Sequence, residues 1–74
     1  MSPLPDEARY EIRIAAELDD GWSAWFGGME VRNDGPGRTV LIGSVPDQAA
    51  LHGLLTRIAD LGLPLISLRR IDPR

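Results

Sequence analysis

The sequence predicts an α+β sandwich, a small antiparallel sheet with helix packed on one face, and three observations predict it. Leu51, Leu54, Leu55, Ile58 and Leu61 recur at i, i+3, i+4, i+7 and i+10, one apolar stripe at helical period. Tyr10, Ile12 and Ile14 alternate with Glu11 and Arg13, the period of a half-buried strand. Seventy-four residues with no cysteine allow one domain and one core, with neither a disulfide nor a thiolate metal site to staple it.

Residues 1–8 read as a flexible N-terminal segment and 9–72 as a single α+β domain. The first strand is expected over residues 10–18, with Leu18 joining Tyr10, Ile12 and Ile14 on one side and Glu17 joining Glu11 and Arg13 on the other. Asp19, Asp20 and Gly21 break that alternation. Residues 22–26, ended by Gly27 and Gly28, suit a short helix capped by Asp19 or Asp20, with Trp22, Trp25 and Phe26 on one face. A strand or loop is the alternative, because aromatic residues also favour strands. Residues 29–33 alternate again, and Asp34, Gly35, Pro36 and Gly37 are turn chemistry leading into a third strand over residues 38–44. These two strands form a hairpin.

The long helix carries its own start and stop signals. Asp47 is placed to accept the free N–H groups of the first turn, and Pro46 before it has no N–H to lose. At the far end Gly62 suits the left-handed cap, Leu63 folds back onto the last turn, and Pro64 forbids continuation. A last strand follows over Leu65–Ile71, Ile66 and Leu68 facing one way and Ser67 and Arg69 the other.

The resulting order, βαββαβ, is the ferredoxin-like layout: four antiparallel strands in spatial order 4-1-3-2 with both helices on one face. If the first helix is extended or irregular, the order becomes βββαβ with the same helix-covered sheet. The expected core is Ile12, Ile14, Val40, Ile42, Ile66 and Leu68 from the sheet. Leu51, Leu54, Leu55 and Ile58 meet it from the long helix, and Trp22 or Trp25 with Phe26 from the short one. The uncovered face is expected to show Glu11, Arg13, Glu17, Glu30, Arg32, Leu41 and Arg69, charges of both signs able to pair across strands.

Composition narrows function more than motifs do. A formal net charge of −3 removes the basic field that supplies most non-specific nucleic-acid affinity, and the uncovered face lacks the stacking aromatics of RNA-binding modules of this layout. No basic-then-apolar leader and no bilayer-length apolar run is visible, so a cytoplasmic protein without a membrane partner is expected. His52 is the lone histidine, on a polar helix strip with Thr56 and Asp60. It could serve as a general base or an interface contact, but one imidazole without cysteine cannot make a zinc site, and an exposed or partner-packed side chain is the simpler reading. Asp19 and Asp20 could hold water or a cation with Glu17, yet adjacent carboxylates at such a junction cap and turn. Neither Gly35-Pro36-Gly37 nor Gly27-Gly28 has phosphate-loop spacing. No cofactor and no enzymatic activity is expected.

Gly53 breaks the helix pattern at a cost of about 1 kcal/mol against alanine. Either it is a tolerated surface position, or Ala49 and Gly53 form a smooth strip for close approach. A chain this small without staples often gains stability by self-association. The leading expectation is therefore an interaction or assembly module, a homo-oligomer such as a dimer or a binder of another protein. Ala49, His52, Gly53, Thr56, Trp22 and Trp25 are its candidate interface. The alternative is a small-ligand-sensing regulatory domain that binds at a subunit interface near Asp19, Asp20 and Gly21.

Trp22-x-x-Trp25-Phe26-x-Gly28, Thr39-Val40-Leu41-x-Gly43, and the run from Asp47 to Leu55 followed by Leu61-Gly62-Leu63 carry a resemblance. Across nearly the whole chain it resembles a group of small, uncharacterised bacterial proteins. That resemblance implies a stand-alone bacterial protein and brings no activity, cofactor or catalytic residue with it. Arginine as the sole strong cation, with frequent Ala, Gly, Pro and Leu, fits a GC-rich bacterial coding sequence.

Overall fold

A computed structural model describes residues 8–71. The expected flexible segment, apart from Ala8, lies outside those residues, as do residues 72–74. Four strands, β1 (Ala8–Ile14), β2 (Glu30–Asn33), β3 (Thr39–Val45) and β4 (Leu65–Ile71), form one sheet in the order β2-β3-β1-β4. Every neighbouring pair is antiparallel. One α-helix, α1 (Gln48–Asp60), connects β3 to β4, so the molecule is an α+β fold with one helix.

The ends of α1 follow from the residues that flank it. Asp47 is extended and its carboxylate accepts the Ala50 N–H at 2.8 Å, satisfying one of the donors a helix start leaves free. At the other end Gly62 takes φ +72°, its N–H reaches the Ala59 carbonyl, and Leu63 N–H reaches Ile58. That pair of bonds is the Schellman closure. It turns Leu63 back against the core.

The short helix expected over residues 22–26 is replaced by a single 3-10 turn, Asp20–Trp22, and a run of turns to Gly28. Too few residues separate Asp19 from the two positive-φ glycines, Gly27 and Gly28, to repay helix nucleation. The segment is fixed otherwise: Gly28 N–H bonds the Ser23 carbonyl at 2.8 Å and Ser23 Oγ donates to the Met29 carbonyl at 2.7 Å. Trp22 stacks on Phe26 with ring centroids 6.0 Å apart. Phe26 is buried, whereas Trp25 is 52% exposed and does not share that face.

The face assignment of β3 is the reverse of expectation. Leu41 pairs with Ile12 and with Val31 and is fully buried beneath α1, while Val40 and Ile42 point to the other side of the sheet. An uninterrupted Val-Leu-Ile run has no period, so its neighbours decide. Thr39, Leu41, Gly43 and Val45 sit opposite Ile14, Ile12, Tyr10 and Ala8, all of which are buried on the helix side. Gly43 fits closely there, because a Cβ on it would stand 3.3 Å from the Met29 backbone, tighter than an ordinary contact.

Two clusters make the core. Ile12, Ile14, Phe26, Met29, Leu41 and Ile58 anchor the larger one, joined by Val31 and Leu54; Ala8, Tyr10, Val45 and Leu51 form the smaller, and Leu55 packs against both. The Tyr10 hydroxyl, buried with its ring, accepts from Gln48 Nε2. On the opposite face Glu11 pairs with Arg13 and, at 3.7 Å, with Arg69; Arg13 also meets Asp34 at 3.1 Å, and Arg32 pairs with Glu30. The hydrogen bond that Arg13 donates to Glu11, ahead of the charges of Glu11 and Asp34, raises the pKa of the guanidinium above its ordinary value. Val40 lies in register between Arg13 and Arg32, whose apolar stems suit its coverage. Glu17 is not on this face: it accepts the Gly37 N–H at 3.0 Å and braces the β2–β3 turn.

Ile66 and Leu68, expected in the core, are 45% and 39% exposed. Leu68 does pair with Ile12 on the helix side, but α1 does not extend over β4.

Thr39 is the one buried polar residue among those described, and its hydroxyl is fully used. It donates to the Ala16 carbonyl at 2.6 Å and accepts the Leu18 N–H at 2.9 Å, pinning the chain that leaves β1. Thr39→Val keeps the shape and strips both bonds, so it is expected to lower stability by about 1–3 kcal/mol in urea unfolding. Thr39→Ser, which keeps the hydroxyl, is expected to lose less.

Candidate functional site

The residues singled out in the sequence sort into separate places. Asp19 caps the 3-10 turn, its carboxylate accepting the Gly21 N–H at 3.0 Å. Ala49, His52 and Thr56 are exposed on the outer side of α1. The Thr56 hydroxyl donates back to the His52 carbonyl at 2.9 Å, a bond within the helix itself. Among the described residues no group of three or more His, Cys, Asp or Glu side chains converges to hold a metal ion. No helix there is long and apolar enough to cross a membrane.

Gly53 is different, because it borders a groove. The depression has a volume of about 300 Å³ and lies between α1 and the chain that crosses β3. From α1 come Ala50, Gly53, Leu54 and Arg57, one helical face at i, i+3, i+4 and i+7. The opposite wall is Phe26, Gly27 and Met29, with Val45 and Pro46 closing the end. The lining is mostly apolar, and apart from Ser44 its polar side chain is Arg57.

Arg57 is held at the mouth. Its Nη1 donates to the Trp25 carbonyl at 2.7 Å, which ties α1 to the turn segment across the groove. That bond leaves the remaining guanidinium donors uncommitted to any carboxylate of the described residues within ion-pair distance, in contrast to Arg13, Arg32 and Arg69. Of the six candidate interface residues, Gly53 lines this groove and Trp25 supports its rim; Trp22 instead packs against the core.

The sequence did not reveal Arg57, Phe26 and Met29 as partners, because the turn that brings them to α1 depends on long-range contacts. Gly53 was legible as an anomaly, and within the chain a Cβ there would meet nothing within 4 Å.

A second surface lies along β4, the sheet edge next to β1. Leu65 is 48% exposed, and with Ile66, Leu68 and nearby Leu61 it leaves a run of aliphatic side chains in water. The other edge, β2, is four residues long with exposed Glu30, Arg32 and Asn33.

Since the backbone of Gly53 is ordinary helix and the space beside it is open, Gly53→Ala is expected to raise stability by up to about 1 kcal/mol. In a domain of this size the thermal midpoint should rise by roughly 4–8 °C per kcal/mol.

No curated protein and no solved structure matches the chain. A family described as a domain of unknown function (DUF8691) matches residues 9–69, most of the chain, from within β1 to within β4, and the chain belongs to that family.

Proposed function

We propose that the protein is a small assembly module that associates with a second copy of itself through β4. The observation that carries this reading is the contrast between the two sheet edges. β2 is short and charged, the usual way a free edge is blunted, whereas β4 is seven residues long and exposes Leu65, Ile66 and Leu68. Exposed aliphatic side chains beside an open ladder edge are a template for strand addition.

A copy of the same strand is self-complementary. Set antiparallel about a two-fold axis at Leu68, β4 places Leu68 against its own copy, Leu65 against Ile71 and Ser67 against Arg69. No arginine faces an arginine in that register. Burying these side chains on association adds apolar contact that the thin core of a chain this size lacks. The net charge of −3 argues for a protein partner over a nucleic acid.

The architecture is read as ferredoxin-like with its first helix reduced to one turn. Counted from β4, the strands run 4-1-3-2, which supports that reading.

Size-exclusion chromatography with light scattering, run across a dilution series, is the test. Twice the chain mass is expected at high concentration, falling to the chain mass for Leu68→Asp and for Ile66→Arg, while His52→Ala on the outer helix face stays at twice. The chain mass at every concentration for the unaltered protein would overturn the reading.

A further inference from the structure

We propose that the groove beside Gly53 is a binding site for a small amphipathic carboxylate, with the apolar body against Phe26, Met29 and Leu54 and the carboxylate on Arg57. The site is distinct from the β4 edge.

Shape comes first. A cleft of about 300 Å³ lies at the lower end of the range of ligand pockets, which are characteristically apolar with a few placed polar groups. It suits an aromatic acid or a medium-chain fatty acid. Its walls come from three parts of the chain: the inner flank of α1, the turn after Phe26, and the end of β3. Two of these are fixed by Phe26 and Leu54, both anchored in the core, so the walls are held from within.

Charge selects the sign. Among the described residues Arg57 is the sole charged side chain lining the groove, and no carboxylate lines it. Its guanidinium is oriented by a neutral carbonyl, that of Trp25, which fixes the fork without neutralising it. A planar fork with free parallel donors matches a carboxylate bidentately. In a protein of net charge −3 an unpaired arginine in a mostly apolar cleft is a local departure from the overall field.

Gly53 supplies an independent argument. Glycine in the middle of a helix is costly, and here no internal contact requires it, since an added Cβ would touch nothing. The space beside it is left open to something the chain does not contain.

The test is titration by calorimetry with octanoate and phenylacetate, with phenylacetamide as the uncharged analogue, alongside amide chemical shifts. Both carboxylates are expected to bind, and phenylacetamide at least about tenfold more weakly. Shifts should concentrate at Gly27, Gly53 and Leu54. Arg57→Gln is expected to weaken the carboxylates about tenfold while leaving phenylacetamide unchanged. Gly53→Phe, which fills the cleft, is expected to abolish binding of all three, with far-ultraviolet circular dichroism and the melting curve confirming that the variant is folded. Absence of binding by either carboxylate up to its solubility limit, equal binding of acid and amide, or undiminished binding to folded Gly53→Phe would each overturn the proposal. Leu68→Asp, which addresses the β4 edge, should leave the affinities unchanged.

Discussion

A helix is about 10 Å across with its side chains, and four strands spaced about 4.8 Å apart make a sheet wider than that. The described residues hold one α-helix to cover such a sheet, and most of the fold's character follows from how that shortfall is distributed. α1 lies over the part of the sheet where Ile12, Ile14 and Leu41 meet Leu54 and Ile58. Phe26 and Met29, delivered by a turn instead of a second helix, fill toward β2. Nothing comparable reaches β4, and its aliphatic side chains stay in water. The groove beside Gly53 arises at the seam between the two unlike covers, where helix meets turn.

The same shortfall explains why the turn from Asp19 to Met29 is so heavily fastened. A helix satisfies its backbone internally, whereas an irregular cover must find partners elsewhere. Ser23 provides them on both sides, its carbonyl to Gly28 and its hydroxyl to the Met29 carbonyl. Thr39 does the same for the stretch leaving β1, and Arg57 for the Trp25 carbonyl. Three polar side chains thus supply hydrogen bonds that a helix would make within itself. On the far face of the sheet, Glu11, Arg13, Asp34 and Arg69 link β1, β4 and the hairpin turn.

Local chemistry was readable in the sequence; distant packing was not. The bounds of α1 came from Asp47, Gly62 and Leu63, whose effects act within a turn, and β4 from its flanking Pro64 and apolar start. The open-face charges Glu11, Arg13, Arg32 and Arg69 followed from strict alternation. β3 failed on its facing because Val40, Leu41 and Ile42 are all apolar and a period of two has nothing to register against. The usable signal was elsewhere: Thr39 and Gly43 share a side with Leu41, and a small residue beneath a crossing chain marks the covered face. The coverage of Ile66 and Leu68 was misjudged for a different reason, since amphipathic alternation says which side a residue faces and not whether anything lies on that side. Of the groove, Gly53 alone was visible as an anomaly, because its other wall is set by positive-φ glycines and an Arg57 contact spanning 32 residues.

The unlikeness of the two rims of the sheet has a consequence for stoichiometry. A sheet adhesive along both borders would add copies without end and grow into a fibre. Among the described residues β2 is short and ionic, so the proposed pairing along β4 would use the apolar edge and leave the β2 edges facing solution. Such a pairing is isologous and closes on itself. A dimer of the proposed kind would therefore stop at two copies, without any additional element to terminate it.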